Sequence, residues 1–371
     1  MNIDLPTLVR LSASLPLPQL LLACDDLVGP DAECDVWLWD HQRTVLTSIR
    51  TNASVEPQDR APSDVFSAHT SAPIIYQGDE LGVLTVAGPD LDDQVDEVVA
   101  LLATAVRAGE PTTDTINVRR RRRAMSLPAE MQWALLPPTQ FSLPGAEISA
   151  AVEPAYDTGG DVFDYAINGD KLSMAVLDAR GHGLRAATTA TVATSAMRRA
   201  RRSGASLLEI ASDISASVNA IGDDADFVSG VLLEIDITTW EGTWISAGHL
   251  PPLLMNERIE PLDLRPALPL GMVIGGSASE PVEQPFALQP GQALTLYSDG
   301  MIENVALDVG DALGDDRFHQ ILHQQITSTF GELGQPQHVA RSVVNDLLQL
   351  TGTVLRDDAT IMVLNRPTAT S

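Results

Sequence analysis

Four aspartates, each beside an apolar, strand-like run and each in a short motif, constrain this 371-residue chain more than any other feature. They are Asp161 in Gly-Gly-Asp (159–161), Asp178 in LDARGHG (177–183), Asp299 in YSDG (297–300) and Asp357 in DDAT (357–360). Isolated carboxylates at strand ends, far apart in sequence, are how a β-rich fold gathers oxygen ligands around hard divalent cations. Taken singly, each has a plainer reading: an aspartate in a turn bonds its own backbone, and an Asp-Asp pair is solvated.

The length favours two domains, and a hydrophobic fraction of 44% is enough for real cores. No apolar run approaches the roughly 20 residues of a membrane span. The opening MNIDLP lacks a basic region and an apolar stretch, so it does not read as a signal peptide; a cytoplasmic protein with no membrane contact is expected. Cys24 and Cys34 are expected as reduced core residues. A formal net charge of −27 argues against nucleic-acid binding, which needs basic stripes. The total charge does not distinguish a solvated acidic surface from local carboxylate clusters that bind metal; the motifs do.

Residues 1–109 read as one small α/β unit. Leu8 to Leu27 has helical apolar spacing broken by Pro16 and Pro18. Asp35 to Asp40 alternates as a strand, with Thr44 to Arg50 as its hairpin partner. Residues 73–86 form a second hairpin turning at Gly78-Asp79, and Leu91 to Val106 is an amphipathic helix with acids at its start. This order, and the phrase GDELGVLTVAGP, resembles a compact GAF-type sensory domain; a PAS-like or orphan α/β domain stays open. Residues 110–138 read as a linker and regulatory helix. They carry five arginines (119–123), expected as a solvated helix face or a dock for the chain's own acids, and then the helix 129–136, which Pro137 and Pro138 end. Met131, Leu135 and Leu136 offer an apolar face there. Residues 139–371 alternate strands with helix pairs at 184–202 with 207–221, and 318–330 with 338–350, which suggests an α+β layered fold.

Six motifs occur in order: LLPP (135–138), GGDVFDY (159–165), LDARGHG (177–183), SAGHLPPLL (246–254), YSDGMIE (297–303) and DDATIMV (357–363). Together they closely resemble bacterial stage II sporulation protein E-like (RsbU-like) phosphatases of the PPM, or protein phosphatase 2C, superfamily. The resemblance implies an α-β-β-α sandwich of two antiparallel sheets flanked by helix pairs. It implies Asp161, Asp178, Asp299 and Asp357 as ligands of two Mn2+ or Mg2+ ions, with the carbonyl of Ala179 as a further ligand. Asp358 is expected to support Asp357, and Glu303 and His249 to be structural. His182 stays open between loop-stabilising hydrogen bonds and a proton role. Arg180, where many relatives carry a small or apolar residue, stays open between gripping a substrate phosphate and pairing with a surface acid.

The resulting expectation is a metal-dependent protein-serine/threonine phosphatase that needs no Ser or Cys nucleophile, because a metal-activated water attacks phosphorus. The resemblance implies a phosphorylated STAS-type anti-sigma-factor antagonist as substrate, in a partner-switching pathway, and a homodimer formed through the linker helix. Two alternatives stay open: a catalytically weak or inactive regulatory binding module, and a phosphatase of small phosphoesters. The first is opposed by all four acidic positions being filled, and the second by the lack of a Gly-rich phosphate loop.

Overall fold

The computed structural model describes residues 4–29, 31–57, 62–66, 69–87, 95–157, 159–221, 226–272, 280–308, 310–329, 338–352 and 355–368. The chain divides into two compact units, Met1–Ala124 and Met125–Ser371. Among the described residues no helix is long and apolar enough to cross a membrane.

In the first unit, α1 (Leu5–Ser12) and α2 (Leu17–Val28) are separated at the expected prolines. β1 (Glu33–Trp39), β2 (Leu46–Ser48) and β3 (Ser54–Val55) follow, then a short α3 (Pro62–Val65), β4 (Thr70–Tyr76) and β5 (Asp79–Ala87). They make an antiparallel sheet in the order β3-β2-β1-β5-β4. The β4–β5 turn is Gln77-Gly78, with φ of 50° and 87°, one residue earlier than the sequence suggested. The reason is Asp79, which pairs with Tyr76 in the ladder and is buried against Arg107, so it belongs to the strand. α4 (Val95–Gly109) and α5 (Asp114–Arg119) complete the unit, and Leu102, Val106 and Ile116 join Leu20, Val36 and Leu84 in one core. The first four residues of the expected helix, 91–94, and the end of GDELGVLTVAGP, 88–89, lie outside the described residues. Cys24 and Cys34 are buried and unpaired as a disulfide. The arginine run docks on this unit's own surface: Arg119 Nε donates to the Ser48 carbonyl at 3.0 Å, Arg120 pairs with Glu110 at 2.8 Å, and Arg122 lies 3.8 Å from Glu56.

The second unit opens with α6 (Leu127–Leu135), capped by Ser126. β6 (Gln140–Leu143), β7 (Ala146–Glu153), β8 (Asp161–Asn168) and β9 (Lys171–Ala179) precede α7 (Gly183–Arg202) and α8 (Leu207–Ile221). Then come β10 (Val228–Asp236), β11 (Glu241–Ala247), β12 (Leu253–Met255), β13 (Ile259–Pro261), β14 (Gln284–Ala287) and β15 (Gln292–Tyr297). A single turn, α9 (Gly300–Glu303), leads to α10 (Asp315–Thr329), α11 (Val339–Thr351) and β16 (Ala359–Arg366). Phe330, which the sequence reading placed at the end of a helix, lies outside the described residues.

One sheet runs β14-β11-β10-β9-β8 and the other β13-β12-β15-β16-β7-β6. Their facing sides share a core of Ile148, Val152, Phe163, Val176, Leu233 and Leu296 among others. α7 and α8 cover the first sheet through Ala186, Ala190, Ala193 and Ile214, and α10 and α11 cover the second through Phe318, Leu322, Val343 and Leu347. The alanine stripe explains α7: alanine is the best helix former, and its small side chain lets the helix lie close on the sheet. Arg199, Arg201 and Arg202 in its last turn suit the negative end of the helix dipole. The unit is thus α+β, with antiparallel sheets inside and helix pairs outside.

Candidate active site

Antiparallel pairing decides which motif ends meet. Asp161 opens β8 and Asp178 stands one residue before the end of β9, so they are register partners at the same end of the first sheet. Tyr297 ends β15 and Ala359 opens β16, which brings Asp299 and the Asp357-Asp358 pair to one end of the second sheet. The Gly160 N–H donates to Asp358 Oδ2 at 2.8 Å and so ties the two ends together. Around it the Ser298 and Thr360 backbones bond each other, and the Thr360 N–H donates to Ser298 Oγ at 2.9 Å.

The acids stand in very different electrostatic settings from their neighbours. Asp164, three residues after Asp161, is buried but receives Arg198 at 2.6 Å and Arg201 at 2.8 Å. None of Asp161, Asp178, Asp299 and Asp357 has an ion-pair partner among the described residues. Asp161 is 2% exposed, and its Oδ2 has no hydrogen-bond partner. Burial first, and then the charges of Asp178 and Asp358, hold the Asp161 carboxyl well above the usual carboxylate range. Burial, Asp299 and Asp357 push Asp178 up to about 7. Burial, Asp357 and Glu303 push Asp299 up to about 6. Asp357 itself is exposed.

Glycine allows two close approaches. A Cβ on Gly160 would lie 2.8 Å from the Ala179 carbonyl oxygen, and one on Gly300 would lie 2.0 Å from the Asp358 carbonyl oxygen. The first keeps the Ala179 carbonyl beside Asp161. The second lets the Asp299 turn press against the Asp357-Asp358 strand start. Arg180 follows at the surface; its N–H donates to the Phe227 carbonyl at 3.1 Å, and its guanidinium lies over the Phe227 ring at 5.2 Å. His182 is the exposed N-cap residue of α7 and makes no side-chain capping bond. Glu303 is exposed, close enough to Asp299 to raise its pKa.

Three polar residues at the site carried no chemistry in the sequence reading. Gln132 on α6 is buried, packs where a Gly159 Cβ would sit, and donates through Nε2 to the Asp161 carbonyl at 2.6 Å. Its signal was a polar residue three positions from both Ala129 and Leu135, on a face otherwise used for packing. Asn304, also buried, donates to the Gly300 carbonyl at 2.6 Å and accepts from the Arg356 N–H at 2.7 Å, so it fixes the loop bearing Asp357. Ser229, the register partner of Asp178 on β10, lies 3.4 Å from its Oδ2 and 3.1 Å from His249 Nδ1.

Among the described residues no three His, Cys, Asp or Glu side chains converge closely enough to form a ready-made metal cage. The donor chemistry nevertheless fits hard divalent ions: all-oxygen ligands, an orphaned buried carboxylate oxygen, and mutual repulsion of Asp161 and Asp178 that no ion pair among the described residues relieves.

Over 226 residues, 59% of this chain and 63% of the relative, the chain is 24% identical to the phosphoserine phosphatase RsbU of Bacillus subtilis (strain 168). It therefore spans less than two thirds of that relative's length. The fold is similar to the RsbU and RsbW domains of Rv1364c from Mycobacterium tuberculosis, with a TM-score of 0.50, 24% identity and coverage of 61% of each chain. It is also similar to the SiaA-PP2C domain of Pseudomonas aeruginosa, with a TM-score of 0.52, 19% identity and coverage of 64% of this chain and 93% of that one. Residues 168–367, more than half of the chain, match the family described as Stage II sporulation protein E (SpoIIE), and the chain belongs to that family.

Proposed function

We propose that this protein is a divalent-metal-dependent protein-serine/threonine phosphatase. The observation that carries the reading is the registered Asp161–Asp178 pair, Asp161 buried and Asp178 partly buried, with no ion-pair partner among the described residues, at the same end of the fold as Asp299 and Asp357. Phosphatases of this family use divalent metals. Asp161, Asp178, Asp299, Asp357 and the Ala179 carbonyl would hold two ions, Mn2+ or Mg2+. When bound, such ions supply Lewis acidity toward phosphoryl oxygens and activate water at neutral pH. The chain's own residues do the placing. β8 and β9 aim two acids from one sheet, the Ser298–Thr360 bonds and Asn304 hold the acids of the other, and the exposed Arg180, two residues after Asp178, would grip the substrate phosphate.

The substrate we infer is a phosphoserine or phosphothreonine on a STAS-type anti-sigma-factor antagonist, in a partner-switching pathway; the phosphoserine phosphatase named among the relatives supports it. The first unit would serve as a GAF-like sensory domain, acting on the second through residues 110–138 in a cytoplasmic homodimer. The test is release of phosphate from a phosphoserine peptide and from a phosphorylated STAS protein, with Mn2+ and with EDTA. Mn2+-dependent release, abolished by EDTA and by Asp178→Asn, is expected. Release that persists undiminished in EDTA overturns the proposal.

A further inference from the structure

Asn304 is the C-cap residue of α9 and is 1% exposed, yet its side-chain amide is fully bonded to backbone. Nδ2 donates to the Gly300 carbonyl at 2.6 Å and to the Asp357 carbonyl at 3.2 Å. Oδ1 accepts from the Arg356 N–H at 2.7 Å and, more loosely, from the Asp357 N–H at 3.4 Å. Carbonyls only accept and backbone N–H groups only donate, so the orientation of the amide is fixed, and each of its protons and lone pairs is used once.

These bonds join two segments that lie far apart in the chain. α9 is a single turn, too short to hold its shape without outside bonds, and Asp299 is its N-cap residue. Asp357 lies in the loop before β16 and is exposed, so its backbone rather than side-chain packing must place it. Asn304 grips both the N–H and the carbonyl of that residue. The Asp358 N–H then donates to Asp357 Oδ1 at 2.9 Å, which orients the carboxylate against the held backbone. Asn304 is anchored in turn, because its own carbonyl accepts the Leu313 N–H at 2.9 Å.

We propose that Asn304 is a positioning residue that sets the Asp357 loop against the Asp299 turn, and so tunes divalent-metal affinity without touching the ion or the substrate. The proposal rests on the metal-dependent reading above. Residues that hold metal-binding carboxylates in place through hydrogen bonds typically contribute about 10–100-fold to affinity. Removing the Asn304 amide leaves every acid and its charge in the chain, so the acidic cluster keeps its attraction for a cation. What is lost is the order of the loop, which the ion must then impose at the expense of binding.

The experiment measures Mn2+ binding directly, by free-Mn2+ spin-resonance titration of the full chain, in wild type, Asn304→Ala and Asn304→Ser. Chemical denaturation of the metal-free proteins runs beside it. Serine keeps a small polar group at the position and carries the test if the alanine variant does not fold. Wild type is expected to bind, and the folded variants to bind roughly tenfold more weakly. A purely structural role would lower the denaturation midpoint and leave the Mn2+ dissociation constant of the folded protein unchanged. That result overturns the proposal and leaves the metal site standing. A wild type that binds no Mn2+ overturns the metal-dependent reading and the role of Asn304 with it.

Discussion

Asp161 and Asp178 face each other as register partners across β8 and β9, and neither has a basic partner among the described residues. In a fold whose other buried acid on β8, Asp164, is held by two arginines, this pair is stressed until a cation arrives. That contrast sets the first prediction.

Without metal, stability should fall as pH rises from about 4 to about 7. The Asp178 carboxyl titrates near 3.8 when unfolded and near 7 when folded, so within this window the folded state holds a proton that the unfolded state has lost. The stabilisation from that proton is complete below the lower value and gone above the upper one. Asp178→Asn should flatten part of the slope and melt at higher temperature than wild type at pH 8 in EDTA, while abolishing turnover. Added Mn2+ should raise the wild-type midpoint by mass action. Calorimetry across pH checks all three; a wild-type midpoint independent of pH in EDTA would contradict the stressed pair.

Gly160→Ala should damage the site with little effect on the fold. Its Cβ would meet the Ala179 carbonyl at 2.8 Å and the Gly181 carbonyl at 3.3 Å. Displacing the Ala179 carbonyl should weaken Mn2+ binding by roughly tenfold or more. Gly300→Ala meets the Asp358 carbonyl at 2.0 Å and should instead destabilise the second unit by about 1–3 kcal/mol or more. Metal titration and chemical denaturation separate the two outcomes.

Arg180→Ala should raise the KM for a phosphopeptide roughly tenfold with little change in kcat. Its guanidinium is stacked on Phe227 beside the loop that follows Asp178, where it can take a phosphate in a two-pronged grip. Arg180→Lys should restore charge but not that geometry, and so recover only part of the loss. Unchanged KM in both variants would overturn the phosphate-binding role of Arg180.

Residues 110–138 should matter for rate as well as for stability. Gln132 Nε2 holds the Asp161 carbonyl, Arg198 holds the Leu135 carbonyl, and Leu135 and Leu136 pack on the core of the second unit. Gln132→Ala should therefore lower turnover at saturating Mn2+. Deleting 1–118, or Leu135→Asp, should change both rate and sedimentation mass relative to the full-length chain. Equal rates and a monomeric mass in all three forms would leave α6 as packing only.

Much of the architecture could be read from the chain because strands and helices carry local periodicity. The residues around the four aspartates, the two helix pairs and most strands of the second unit were legible in this way. β6 and β12 to β14 were not: at three or four residues each, they are too short to show a period of two, and their pairing partners select them. The arginine run could be weighed by charge alone, but its docking on Ser48, Glu110 and Glu56 depends on which surface the first unit folds beside it. At the site, the sequence motifs singled out the four acidic positions. Which carboxylate faces which, why Asp164 is neutralised while Asp161 is not, and why Gln132 and Asn304 matter were decided only in three dimensions. Hydrogen bonds and charge repulsion act across distances of a few ångströms, and antiparallel register and sheet stacking bring these residues that close from far apart in the chain.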